Sequence, residues 1–150
     1  MVSPPIKAVD PLRPMKVMVV LNLVLLSVQG WTGDVVNLFA AFPSGPVAGV
    51  GGAVSALLSA GPGPLAIYHA VEGVVVLLLA VGVVSVAFTR SKSRGVRVTS
   101  LLALISVASA AIGGYLFLFS GFTANGNSAQ MGGSFIAAYA LNFLVLYYAK

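Results

Sequence analysis

The sequence predicts an all-α membrane protein, a bundle of four transmembrane helices with a short interfacial or re-entrant helix in the first outer loop. Three observations carry this. Hydrophobic residues make up 59% of the 150 and charged residues only 7%, with a mean hydropathy of +1.03, whereas a water-facing surface wants about 25–35% charged residues. Four apolar segments, 16–40, 66–89, 98–120 and 132–149, can each cross a hydrocarbon core of about 30 Å, which takes roughly 20 helical residues. All eight Lys and Arg fall in three places that an even number of crossings puts on one side. Soluble enzymes and disordered tails are excluded, and the chain reads as one transmembrane domain, 1–150.

The first span follows Lys7, Arg13 and Lys16 and runs apolar from Val17 to Val28. No small-x-small cleavage site follows it, so it reads as a retained helix and not a signal peptide. Its outer half carries Gln29-Gly30-Trp31-Thr32-Gly33-Asp34. The first outer connection is bracketed by Pro43-Ser44-Gly45-Pro46 and Gly61-Pro62-Gly63-Pro64, both strong breakers. Residues 47–60 between them are small and apolar, too short to span, so they form a helix on the bundle's outer end, either a lid or a packed loop. The second and third spans are joined by a turn holding Arg90, Lys92, Arg94 and Arg97, and Lys150 ends the fourth. The outer connections 41–65 and 121–131 contain no Lys or Arg. By the positive-inside rule both termini are cytoplasmic and the protein is multi-pass in the plasma membrane.

Small residues mark helix contacts on the third span (Ser106, Ala110, Gly113, Gly114) and the fourth (Gly133, Ala137, Ala138), either within the subunit or in a homo-oligomer. Asn125-Gly126-Asn127-Ser128 reads as a turn before the fourth span. The halves show no internal repeat, and the basic residues do not form a face that could follow nucleic acid. With no cysteine, disulfides, thiolate metal sites and iron–sulfur clusters are ruled out.

Three carboxylates exist in all, and Asp34 and Glu72 lie inside spans, where an ionisable group needs a partner or a water-filled cavity. The sole histidine, His69, precedes Glu72 by three residues, on one face of the second span. Counted at 1.5 Å per residue, Asp34, His69 and Glu72 fall at similar depth in the outer leaflet, which predicts one shared polar pocket. Gln29, Gly33 and Asn37 form an i, i+4, i+8 stripe beside it, Trp31 and Tyr68 flank it, and Met131 opens the fourth span. Each has a structural alternative: Trp31 and Tyr68 as interfacial anchors, Gln29 and Asn37 as interhelical hydrogen-bonding groups, His69 with Glu72 as a helix-locking pair.

A histidine within a small helical bundle is how membrane cytochromes hold haem b. The first functional expectation is therefore a cytochrome b-like electron-transfer protein with His69 on the haem iron. One histidine leaves Met131, an open position or a second copy's His69 for the other axial site. Gln29, Asn37, Trp31 and Tyr68 would line the cofactor, Asp34 and Glu72 would relay protons or pair helices, and a quinone or redox partner would follow. The alternatives are a non-catalytic structural or accessory subunit of a membrane (respiratory) complex or homo-oligomer, and a quinol- or proton-responsive site. Whether the chain is an enzyme is left open.

The run Gln29-x3-Gly33-x3-Asn37-Leu38-Phe39 followed by Pro43, then His69-x3-Gly73, then Gly133-Ser134-Phe135, resembles a widespread group of small four-helix prokaryotic membrane proteins over nearly the whole chain. In that group a methionine or apolar residue is usual at the place of Asp34 and a leucine at that of Glu72. Gln29, Asn37 and His69 follow the pattern and the two carboxylates depart from it. The resemblance implies topology and no particular activity.

Overall fold

The computed structural model describes residues 10–39, 41, 47–59, 61 and 63–150. Among them lie helices α1 (Arg13–Phe39), α2 (Gly49–Ser59), α3 (Gly63–Arg90), α4 (Arg94–Phe119) and α5 (Asn125–Tyr148). Four are long and apolar enough to cross a membrane, and the eleven-residue α2 is not. At 1.5 Å per residue the four extend about 36–42 Å, enough for a hydrocarbon core of about 30 Å. Part of the first connection expected on the outer side, including Pro43 to Pro46, lies outside the described residues.

The helix ends follow from local chemistry. Asp10 opens α1: one carboxylate oxygen accepts from Leu12 N–H at 2.9 Å, its carbonyl accepts from Arg13 N–H at 3.1 Å, and its other oxygen meets Lys16 Nζ at 2.8 Å. These contacts start α1 three residues before the expected Lys16. Ser93 caps α4, its hydroxyl accepting from Val96 N–H at 3.4 Å. Three residues, 91–93, thus suffice to turn α3 back into α4.

At the other end of α4, Phe122 N–H reaches Phe117 O at 3.1 Å and Gly121 N–H reaches Leu118 O at 3.2 Å. This is a Schellman termination, with Gly121 at φ 68° and the Phe122 ring edge-on to Phe117. The expected turn at Asn125–Ser128 is instead the first turn of α5. Turn-forming side chains are tolerated there because amides at a helix start need no intrahelical partner, and Gly113 of α4 lets the Asn127 carbonyl approach to 3.0 Å of where a Cβ would stand.

The long helices form a ring in the order α1, α3, α4, α5, with α2 resting on α3 and α4. Met15 and Val19, Val83 and Ala87, Val96, and Val145 and Ala149 share one apolar cluster. The start of α1, end of α3, start of α4 and end of α5 therefore meet, and neighbouring helices run antiparallel. A second cluster of Leu26, Val76, Ala80, Val107 and Ala138 fills the middle. The perimeter is apolar, with Val24, Leu78, Ile105, Ile112 and Ile136 each more than half exposed, while Asn22, Thr32, Glu72, Thr99, Ser100 and Asn142 are buried. Such a distribution suits a lipid solvent, in which polar groups seek the bundle interior.

Candidate functional site

The half of the α1–α3 contact that lies away from Arg13 and Arg90 is built from two matched spacings. On α1, Gln29 and Gly33 are one turn apart; on the antiparallel α3, so are His69 and Gly73. Each large polar side chain lies over the other helix's glycine. A Cβ on Gly33 would stand 2.9 Å from His69 Cε1, and one on Gly73 would stand 3.2 Å from Gln29 Nε2.

Hydrogen bonds close this clasp and fix its polarity. Gln29 Nε2 donates to the His69 carbonyl at 3.0 Å and faces His69 Nε2 at 3.3 Å. The Thr32 hydroxyl donates to the Gln29 carbonyl at 3.2 Å and lies 3.0 Å from His69 Nδ1. Because an amide nitrogen only donates, Nε2 of the ring must accept, which assigns the hydrogen to Nδ1 and makes Nδ1–H the donor to Thr32 Oγ1. Both amide hydrogens of Gln29, both ring nitrogens of His69 and the Thr32 hydroxyl are consumed within the clasp. Thr32, 1% exposed, was not among the residues the sequence singled out. Its signal is its place three residues after Gln29 and next to Gly33, on the face those two define.

Haem ligation by His69 would require this arrangement to open. An axial histidine must offer the iron a nitrogen lone pair along an open direction; here the only lone pair, on Nε2, accepts from Gln29, and the ring edge between the nitrogens rests on Gly33. Met131 lies against α4, with its Sδ 3.3 Å from where a Gly114 Cβ would be. Among the described residues no group of three or more His, Asp or Glu could hold a metal ion.

The shared acidic pocket is not formed either. Asp34 is exposed, whereas Glu72 is buried to 4% exposure on the core-facing stripe that continues through Val76 and Ala80. Asn37, Trp31 and Tyr68 are exposed as well. Of the expected site residues the structure brings together Gln29 and His69, with Glu72 beside Gly73.

Three acceptors here lack a donor: Gln29 Oε1 and both carboxylate oxygens of Glu72. The Tyr68 hydroxyl, one turn away, is close enough to influence the carboxyl but makes no hydrogen bond of acceptable geometry with it. A buried carboxyl without a partner costs stability, so it is the one group at this end whose presence packing does not explain.

A second clasp joins α4 and α5, where the Ser134 hydroxyl donates to Ser109 Oγ at 2.9 Å and Gln130 Nε2 donates to the same oxygen at 3.2 Å. Gln130 therefore serves α4 and not the surroundings of His69. The two pairs are bridged where the Phe135 ring covers Gly30, 2.8 Å from the position of a Cβ. Fold and site together define a four-helix, all-α membrane bundle held by polar clasps. Comparison with protein-family profiles, with curated protein sequences and with solved structures gives no match to the chain.

Proposed function

We propose that this chain is a small non-catalytic membrane protein, a structural or accessory subunit, in which Gln29, Thr32 and His69 join α1 to α3 and hold no cofactor. The observation that carries the reading is the saturation of the imidazole: both ring nitrogens are spent on the chain's own groups. The basic residues at the end formed by Arg13, Arg90, Arg94 and Lys150 support a cytoplasmic location for both termini. Self-association is part of the proposal, through Gly133 and Ala137. These two are exposed on α5, while Gly113 and Ala138 are spent inside the subunit.

Visible absorption of the purified protein, with and without dithionite, tests the reading alongside His69→Ala. The expected result is no Soret band and a less stable but unaltered tetraspan fold. A Soret band that shifts on reduction and disappears in the variant would replace this reading with the cytochrome one.

Glu72 favours a second reading, a proton-responsive site at the outer end. Its buried carboxyl lies next to the clasp with neither oxygen satisfied. Proton flux into liposomes carrying the wild type or Glu72→Gln distinguishes it: flux lost in the variant supports the site, and equal flux in both removes it.

A further inference from the structure

We propose that a cleft at the opposite end of the α1–α3 pair is a binding site for an anionic phospholipid, with Arg13 and Arg90 holding the lipid phosphate. The cleft is shallow and open to its surroundings, measures about 450 Å³ and is lined by Asp10, Pro11, Arg13, Pro14, Val17 and Arg90. This inference rests on the four membrane crossings alone and is independent of the role assigned to His69.

Charge and position select the occupant. Arg13 is the first residue of α1 and Arg90 the last of α3, so both guanidinium groups stand where a membrane helix leaves the hydrocarbon and lipid phosphates begin. Neither has an ion-pair partner among the described residues, where the ion pair found is Lys16 with Asp10. The Asp10 carboxylate also lines the cleft and by itself would repel a phosphate. Its two oxygens are taken by Lys16 Nζ at 2.8 Å and Leu12 N–H at 2.9 Å, which leaves the arginines as the uncompensated charges. A guanidinium offers a planar fork of donors suited to two phosphate oxygens at once. Val17, one turn deeper and 51% exposed, and the rings of Pro11 and Pro14 supply an apolar wall for the glycerol and the upper acyl chain. Basic pockets between helices on the cytoplasmic side bind anionic head groups by this combination.

The test is native mass spectrometry of the full chain in detergent, titrated with phosphatidylglycerol or with phosphatidylcholine of the same acyl chains. The wild type and two double variants are compared. Arg13→Gln with Arg90→Gln removes the proposed phosphate ligands, and Lys92→Gln with Arg94→Gln removes the same charge from the same end outside the cleft. The expected result is preferential retention of phosphatidylglycerol by the wild type, weakened about tenfold or more by the first pair, as follows from the loss of charge-assisted hydrogen bonds to the phosphate, and little changed by the second. Arg13→Lys with Arg90→Lys, which keeps charge without the fork, should retain an intermediate affinity and shows that loss does not stem from misfolding. Equal losses in both double variants would mean diffuse attraction and overturn the site. So would equal retention of phosphatidylcholine, or binding unaffected by the Arg13 and Arg90 substitutions.

Discussion

Replacing Glu72 by leucine should make the protein more stable. Glu72 is nine residues into the 28-residue α3, about 14 Å from its N-terminal end and about 7 Å from its midpoint, well inside a hydrocarbon half-thickness of about 15 Å. Neither carboxylate oxygen has a hydrogen-bond partner and the residue is 4% exposed. On insertion scales an acidic residue at a helix centre costs about 2.5–3.5 kcal/mol while leucine contributes about −0.3 to −0.6. Position away from the midpoint and imperfect packing of the new side chain reduce the difference, so a gain of about 1–3 kcal/mol is expected. Glu72→Gln, which keeps the shape, should lie between. The assay is reversible unfolding of the full chain in mixed micelles against rising fractions of denaturing detergent. A loss of more than about 1 kcal/mol in Glu72→Leu would show that the carboxyl is engaged in the folded bundle, and the reasoning would fail. A gain in stability with proton flux abolished would mark Glu72 as a residue kept at a cost for its chemistry.

In the clasp, Gly33→Ala places a methyl 2.9 Å from His69 Cε1 on a ring that two hydrogen bonds hold in place; a loss of about 1–3 kcal/mol is expected. Adding His69→Ala should then cost less than it does alone, and strictly additive losses in the same unfolding assay would contradict the contact. At the helix start, the Lys16 ammonium and the Leu12 N–H hold the Asp10 carboxyl below its ordinary range. A depressed carboxyl adds stability that is fully present above its unfolded value and is lost as pH falls through the folded one. Melting temperature in acid should therefore decline less steeply in Asp10→Asn than in wild type, and parallel curves would remove the pairing. Gly121, at φ 68°, should resist replacement, with Gly121→Ala losing about 1 kcal/mol in the unfolding assay; an unchanged midpoint would argue against the left-handed termination of α4.

Much of this architecture was legible because lipid imposes length and polarity on any helix that crosses it. The four spans, the short α2 between proline–glycine breakers and the gathering of Arg90, Arg94 and Lys150 at one end follow from composition and spacing. Depth could be counted as well: the level of Gln29 and Gly33 opposite His69 and Gly73 is what a rise of 1.5 Å per residue gives. Direction around each helix could not be counted in the same way. Asp34 follows Gly33 by one residue, a rotation of about 100°, which carries it off the α3 contact and leaves it exposed. Glu72 is likewise turned from His69 toward the core stripe of Val76. Equal height was therefore no guarantee of a shared pocket. The start of α5 was hidden for another reason, since Asn-Gly-Asn-Ser scores as a turn until Gly113 supplies a surface close enough to pack its first turn.

Gln29, Gly33, His69, Gly73 and Phe135 act in this fold as devices for choosing neighbours. The hydrophobic effect cannot do so in lipid, because the acyl chains outside are as apolar as the core within, which leaves close packing and hydrogen bonds. Gln29 and His69 over paired glycines choose α3 for α1; Ser109, Gln130 and Ser134 choose α5 for α4; and Phe135 seated on Gly30 joins the two pairs. At the opposite end all four helices share one cluster around Met15, Val83, Val96 and Val145, and the Tyr148 ring lies within 2.9 Å of where a Gly95 Cβ would be. One end is thus a common core and the other is two clasped pairs, bridged by Phe135 on Gly30 and by the Ser27–Tyr139 hydroxyl contact at 3.1 Å. Glu72 faces the interior at the clasped end, where its unpaired oxygens meet no fixed donor. A change in the protonation of that carboxyl would therefore act on the junction between the pairs before it reached the common core.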